Sequence, residues 1–231
     1  MRWEFTLTNP ITLVRQSAKR TRTPEVLTVE EIGKLLAELS DPWRTAVYTA
    51  ICTGLRVSEL LALRWEDIST EAGEMRLTRG IVRQHIGHMK TEASRKPIPM
   101  DARLSIVLTS WRGRCGYAEE SDYVFASPDK NGKQPYWPTS GMEKHIRPAA
   151  KRAKITKRIG WHTLRHTFGT LVKAAGADVA TTQSLMRHAN VSITMDRYVQ
   201  AVSEQKRDAQ ARLMQNVPFP SVPTPVTERL Q

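Results

Sequence analysis

WHTLRHTFGTLVKAAGADVATTQSLMRHANVSITMDRY, residues 161 to 198, joins a helical pattern to a closely spaced set of histidine and arginine side chains. Apolar residues recur at helical spacing over its first half, which predicts a helix from Trp161 to Ala175 that ends at Gly176. A second helix is predicted from Asp178 to Met186. The side chains expected to face the core from the first helix are Leu164, Phe168, Leu171 and Val172.

Polar side chains in the same stretch form a set suited to chemistry on phosphate. His162 and Arg165 are three residues apart, so they share one face of a helix and can converge on one small anion. His166 points elsewhere on that helix and is interpreted as a packing residue. His188 and Tyr198 add a further donor and a hydroxyl group that can act as a nucleophile. No cluster of metal ligands accompanies these side chains in the sequence. The set therefore favours direct attack of the tyrosine hydroxyl on a phosphodiester.

A further arginine, Arg56, lies in TGLRVSELLALRW, residues 53 to 65. The planar arginine side chain can donate two parallel hydrogen bonds to two phosphate oxygens, and it keeps its charge at ordinary pH. We therefore interpret Arg56 and Arg165 as groups that neutralise the charge of a phosphate. Glu59, three residues after Arg56, can orient that arginine, and a simple salt bridge between the two is the alternative interpretation.

Four motifs in a fixed order resemble the catalytic domain of the tyrosine recombinases, the phage integrase family. They are Arg56 in TGLRVSEL, Lys90 in KTEASRKPIPM, His162 with Arg165 in HTLRH, and His188 followed ten residues later by Tyr198. The resemblance extends from about Pro24 to about Gln200. It implies a mainly α-helical domain with a small antiparallel β-sheet (α+β). Such a domain cuts and rejoins DNA through a 3′-phosphotyrosyl intermediate, with no cofactor and no metal ion.

The same resemblance implies a role for each of these residues. Tyr198 is the expected nucleophile, and because a free tyrosine has a pKa of about 10, its attack depends on nearby cations that favour the phenolate. Lys90 is the expected general acid for the leaving 5′ oxygen, with Arg95 and Lys96 as nearby competitors. The two histidines of the motifs are expected to bind the non-bridging oxygens or to assist proton transfer at the tyrosine.

The charge of the chain indicates a polyanionic partner. It carries 35 Lys and Arg against 23 Asp and Glu, with a formal net charge of +12 and a pI of about 10.0. Nucleic acid is a better candidate than a membrane, since no basic amphipathic helix stands beside a hydrophobic anchor. Two basic segments are predicted to contact the DNA backbone, with a solvated face as the alternative for each. Their residues are Arg15, Lys19, Arg20 and Arg22, and Lys144, Arg147, Lys151, Arg152, Lys154, Lys157 and Arg158.

The sequence favours a cytoplasmic protein. No apolar run approaches the roughly 18 to 20 residues that span a bilayer, and MRWEFTLTNP lacks the order of a signal peptide. Cys52 is expected in the core, Cys115 could be exposed, and a disulfide between them is not expected. Neither cysteine has the spacing of a zinc ligand, and no carboxylate or cysteine completes a metal site with His85, His88 and His145.

The chain is predicted to have three parts. Residues 1–24 are a basic linker, residues 25–215 the catalytic domain, and residues 216–231 a proline-rich disordered tail. In two-domain members of the family, such a linker follows a core-binding domain. We expect the present chain to comprise the catalytic part alone.

Inside the domain, Thr28 with Glu31 predicts a capping box at the start of a helix. A small antiparallel sheet of about three strands is predicted over residues 75–98, with Lys90 near a turn or strand end, and residues 113–141 are predicted to be mostly loop. The other predicted helical segments are Trp43 to Cys52, Ser58 to Leu63, Leu104 to Trp111, a basic helix and loop from Lys144 to Arg158, and Ala201 to Met214.

The resemblance implies double-stranded DNA as the partner, with protomers assembled on it as a tetramer. Because the segment after the tyrosine packs on a neighbouring protomer in the family, the helix over residues 201–214 could mediate that contact. In the free chain we expect it to pack in cis or to self-associate weakly, which leaves a monomer. Two other functions are open: an inactive or regulatory DNA-binding relic, which covalent trapping would test, and a type IB topoisomerase, which plasmid relaxation would test.

Overall fold

The computed structural model describes residues 25–88, 97–187 and 201–218 of the chain. The helices are α1 (Val29–Ala37), α2 (Trp43–Thr53), α3 (Val57–Leu60), α4 (Ala102–Arg112), α5 (Pro138–Gly141), α6 (Arg147–Arg152), α7 (Trp161–Ala174), α8 (Val179–Met186) and α9 (Ala201–Asn216). A π-helical turn, Met142–Ile146, joins α5 to α6, and Trp65–Asp67 and Pro128–Lys130 are short 3₁₀ segments. The strands are β1 (Ile68–Ser69), β2 (Glu74–Met75), β3 (Arg79–Val82), β4 (His85–His88) and β5 (Ile98–Pro99). The predicted class, mainly α with small antiparallel sheets, is confirmed.

The predicted capping box starts α1. The Thr28 hydroxyl accepts a hydrogen bond from the main-chain N–H of Glu31 at 3.2 Å, and the Glu31 carboxylate accepts one from the N–H of Thr28 at 2.8 Å. These bonds satisfy two main-chain donors that a helix start leaves unpaired. From this start, α1 buries Ile32, Leu35 and Leu36.

Helix α2 forms the centre of the core. Every residue of α2 except Arg44 is buried, as is typical of a helix that is surrounded by others. Helix α7 packs against it through the fully buried Leu164 and Phe168. Gly54 ends α2 with a φ of 65°, and a Cβ there would lie 2.2 Å from Cδ1 of Phe168. Only glycine therefore allows the chain to turn at this point, two residues before Arg56.

The strands form two small sheets. Strands β1, β2 and β5 are antiparallel, and Met75 pairs with Ile68 on one side and Ile98 on the other. Strands β3 and β4 form a separate hairpin in which Ile81 pairs with Ile86. The two turn residues, Arg83 and Gln84, both have positive φ. This conformation gives a tight turn whose twist matches that of the two strands. The first sheet has the predicted number of strands but begins earlier, at Ile68, and the β3–β4 hairpin is a second sheet that was not predicted.

Residues 113–141 are mostly loop, as predicted, with the short 3₁₀ segment Pro128–Lys130 and the start of α5 at Pro138. The fixed φ and missing N–H of proline suit the first turn of that helix.

One further prediction needs correction. His166 was expected to pack inside, but it is exposed. It lies two positions after the core residue Leu164, which is about 200° around a helix of 3.6 residues per turn.

Helix α9 packs on the chain that carries it. Ala209, Leu213 and Val217 are 5%, 1% and 2% exposed, and α9 contacts α2, α7 and α8. The tail predicted from residue 216 therefore begins too early, since Asn216 ends the helix and Val217 is buried. Residues 219–231 lie outside the described residues, as does the linker over 1–24.

Cys52 is buried in the core, as predicted, whereas Cys115 is half-buried and not fully exposed. None of the helices in the described ranges has an apolar run long enough to cross a membrane. No group of His, Cys, Asp and Glu side chains that could hold a metal ion is found in those same ranges.

Candidate active site

Arg56 and Glu59 form an ion pair at the start of α3. Arg56 occupies the N-cap position with extended backbone, just after the turn at Gly54. Its Nη1 lies 3.0 Å from Oε1 of Glu59, and its main-chain N–H donates to Oε2 of the same carboxylate at 2.9 Å. The Glu59 side chain is 4% exposed and that of Arg56 is 38% exposed. The carboxylate is therefore fixed in the interior, whereas part of the guanidinium remains accessible.

Arg165 lies on α7 and is buried. One of its terminal nitrogens donates to the carbonyl of Gly54 at the end of α2, and the other donates to the carbonyl of Met186 at the end of α8. Its side chain thus ties together the ends of two helices that carry the candidate site. Since these bonds use two of the five N–H groups of a guanidinium, further donors remain for a ligand.

Arg187, which the sequence did not single out, joins this group. Its Nη1 lies 3.5 Å from Oε2 of Glu59, and its side chain is 6% exposed. Its carbonyl oxygen accepts a hydrogen bond from Nη2 of Arg56 at 3.1 Å. The sequence places a basic residue here, beside the predicted His188, but an arginine after a helix is more often solvated than buried. No local sequence pattern predicts that the side chain of Arg187 is buried.

The electrostatics of this cluster favour an anionic ligand. Within the described residues it contains three guanidinium groups, those of Arg56, Arg165 and Arg187, and one carboxylate, that of Glu59. Burial and then the charge of Arg56 lower the pKa of Arg165 to about 10, while Glu59 opposes that shift. Burial also lowers the pKa of Arg187, again against the effect of Glu59. A bound anion would offset the cost of holding these cations away from water.

His162 lies in the first turn of α7 and is exposed. It precedes Arg165 by three residues, but among the described residues it makes no hydrogen bond to the arginine cluster. The structure therefore brings Arg56 and Glu59 into contact and places Arg165 close enough for its charge to interact with both. His162 lies on the same helix as Arg165. Lys90, its competitors Arg95 and Lys96, His188 and Tyr198 all lie outside the described residues.

The second predicted basic segment is divided between ion pairs and accessible cations. Arg152 Nε lies 2.8 Å from Oε2 of Glu38, and Lys157 Nζ lies 2.6 Å from Oε2 of Glu31, so both residues tie this segment to α1. A cleft of about 360 Å³ lies beside these pairs. The basic residues that line it are Arg147, Lys151, Lys154, Lys157 and Arg158. The first basic segment, Arg15, Lys19, Arg20 and Arg22, lies outside the described residues.

The sequence profile of the phage integrase family matches residues 25–205. The chain belongs to the phage integrase family. A tyrosine recombinase of Pseudothermotoga lettingae is 32% identical over 209 residues, which cover 90% of this chain and 67% of that protein. The tyrosine recombinase XerD of Halalkalibacterium halodurans is 30% identical over 201 residues, which cover 82% of this chain and 62% of that protein.

Solved structures of integrases and recombinases share this fold. The Tn1549 transposon integrase, in complex with transposon right end DNA, superposes with a TM-score of 0.64 at 21% identity. The match covers 90% of this chain and 70% of that one. The predicted likeness to a tyrosine recombinase catalytic domain is thereby confirmed. The chain spans between about half and two thirds of the length of the curated relatives that it matches.

Proposed function

We propose that this chain is the catalytic domain of a site-specific DNA recombinase or integrase, which cuts and rejoins DNA strands without a metal ion. The observation that carries the proposal is the cluster of Arg56, Glu59 and Arg165 at the ends of α2 and α8, in which Glu59 and Arg165 are buried and Arg56 is partly accessible. In the sequence, the motifs that supply this cluster are followed by His188 and, ten residues later, by Tyr198. A site for a phosphate is thus followed by a nucleophile in the order that the family motifs require.

The first step is to hold the scissile phosphate. Arg56 and Arg165 donate hydrogen bonds to its non-bridging oxygens, and His162 adds a donor at the exposed start of α7. Donors aimed at developing charge can each lower a barrier by about 2.7 to 4 kcal/mol. Because the carbonyl groups of Gly54 and Met186 already orient Arg165, little rearrangement is needed when the phosphate arrives.

The second step is a transfer of the phosphoryl group. The oxygen of Tyr198 bonds to phosphorus as its proton passes to His188, and the bond from phosphorus to the 5′ oxygen breaks. Lys90 donates a proton to that oxygen, which becomes a free 5′-hydroxyl. A second 5′-hydroxyl can later attack the phosphotyrosine and release Tyr198, so the energy of the phosphodiester is conserved. The roles of Lys90, His188 and Tyr198 rest on the order of the motifs.

Double-stranded DNA is the proposed partner, and the cleft beside α6 is the proposed contact with its backbone. Lys151 and Lys154 line this cleft and have no ion pair with another described residue, so they can approach phosphates without losing an existing partner. Lys144, on the preceding π-helical turn, extends the same basic segment. Protomers assembled on DNA complete the proposal.

Covalent trapping tests this function. A nicked suicide duplex lets the cleaved end diffuse away, so an adduct resistant to SDS should accumulate with the wild-type chain in EDTA. Tyr198→Phe should give none, because phenylalanine has no hydroxyl to attack phosphorus. Tyr123→Phe is a matched control at another tyrosine and should leave the adduct unchanged. An adduct that persists in Tyr198→Phe, or that requires a divalent metal, would contradict the proposal.

A further inference from the structure

Arg187 contacts both Arg56 and Glu59, the ion pair at the start of α3. The proposed mechanism gives Arg187 no role. Its guanidinium lies 3.5 Å from Oε2 of Glu59, and its carbonyl accepts a hydrogen bond from Nη2 of Arg56. Arg56 is thus held on one side by Glu59 and on the other by the main chain of Arg187.

The backbone at Arg187 is costly for an arginine. Its φ is 53°, in the left-handed region that glycine adopts freely and that is unfavourable for residues with a Cβ. Glycine at this position would remove that cost. Two interactions that offset this cost are the contact of the side chain with Glu59 and the hydrogen bond that the carbonyl accepts from Arg56. Local costs of this kind are concentrated at functional sites.

Glu59 transmits the contact to Arg56 because its two oxygens are used differently. Oε1 faces Nη1 of Arg56, whereas Oε2 accepts from the main-chain N–H of Arg56 and faces Arg187. Rotation of the carboxylate about its terminal bond would break the ion pair of Oε2 with Arg187 in addition to its two hydrogen bonds from Arg56. Oε1 therefore stays aimed at the guanidinium that is to meet the phosphate.

We propose that Arg187 is a positioning residue for DNA cleavage, which acts through Glu59 to fix the direction in which Arg56 meets the scissile phosphate. This inference rests on the proposed function. A positioning role differs from a merely structural one in what happens when Glu59 is changed. If Arg187 acts through Glu59, its effect on the cleavage rate disappears once the carboxylate of Glu59 is removed.

A double-mutant cycle separates the two roles. Arg187→Gly suits the left-handed backbone, and Glu59→Gln keeps the shape of the carboxylate but removes its charge. Each single variant and the double variant are assayed for single-turnover formation of the DNA adduct, for DNA affinity and for unfolding temperature. Arg187→Gly should slow adduct formation by about 10- to 100-fold, as is found for outer partners that orient the ligating side chains of a metal site. Its DNA affinity should be unchanged, and in the Glu59→Gln background the same change should cost almost nothing.

Two further variants sharpen the result. Arg187→Lys keeps a cation beside Glu59 and should form adduct faster than Arg187→Gly. Arg114→Ala removes another partly buried arginine, which pairs with Asp41 at 2.8 Å beyond the opposite end of α2. Because α2 has eleven residues and rises by about 1.5 Å per residue, this control lies about 16 Å from the cluster. It should change the unfolding temperature but not the rate.

The proposal is overturned by a wild-type rate in Arg187→Gly, by equal slowing in both backgrounds, or by a lysine variant no faster than the glycine variant. Absence of an adduct with the unaltered chain would be a different failure, because it would overturn the proposed function and this inference with it.

Discussion

Arg56 and Arg165 divide the binding of a phosphate in a way that follows from their surroundings. Arg165 is buried and held by two carbonyl groups at helix ends, so its direction is set by the fold. Arg56 is 38% exposed and held by one carboxylate and one carbonyl, so its direction depends on neighbours that can themselves be changed. Changes at Glu59 should therefore alter catalysis through Arg56 more than through Arg165.

Lys90 gives the next prediction at the scale of single residues. If it protonates the leaving 5′ oxygen, a 5′-thio substrate should need it less, because a thiolate leaves without a proton far more easily than an alkoxide. Lys90→Ala should cleave normal DNA poorly and the thio substrate nearly as well as the wild-type chain does. Single-turnover rates on the two substrates provide the measurement. If Lys96→Ala is rescued by sulfur and Lys90→Ala is not, the general acid is Lys96.

At the scale of elements, the sequence predicts helices better than their packing. Regular apolar spacing and a capping box are local signals, so α1, α2, α7 and α8 could be predicted within a residue or two. The division of the strands into two sheets could not be predicted, because β2 pairs with β5 across the whole β3–β4 hairpin, and this pairing joins residues that are distant in sequence. The inward turn of Arg187 is missed for the same reason, since it depends on a carboxylate more than a hundred residues earlier. The Arg56 to Glu59 contact, at three residues, could be predicted.

Helix α9 provides a prediction about an element. Leu213 is 1% exposed within its own chain, so Leu213→Ala should lower the free energy of unfolding by about 2 to 5 kcal/mol. Gln215→Ala on the exposed face of the same helix should change it by less than about 0.5 kcal/mol. Urea unfolding followed by circular dichroism measures both. Because α9 packs in cis, the midpoint should not depend on protein concentration, and a midpoint that rises with concentration would indicate that α9 is shared between protomers.

For the molecule as a whole, net charge alone does not locate the DNA surface. The chain carries a net charge of +12, but Arg152 and Lys157 are held by carboxylates of α1. These two residues shape the basic segment by fixing it to α1, whereas Lys151 and Lys154 are accessible beside them. DNA binding on this surface should therefore depend more on Lys151 and Lys154 than on Arg152 and Lys157.

Salt dependence of DNA binding tests that division. Contacts of one basic surface with phosphates carry little sequence information, so this chain alone should bind a candidate site and random duplexes alike, with a Kd of roughly 10⁻⁴ to 10⁻⁶ M at physiological salt. Each phosphate neutralised contributes about 0.9 to the slope of log K against log salt, so Lys151→Gln with Lys154→Gln should reduce the slope by about 1.8. The matched pair Arg152→Gln with Lys157→Gln should reduce the slope less, because these cations are already paired.

Fluorescence anisotropy at several salt concentrations measures the slope, and sedimentation verifies that the protein is a monomer. Nanomolar, sequence-selective binding, or a larger loss from the paired residues, would place recognition elsewhere on the chain.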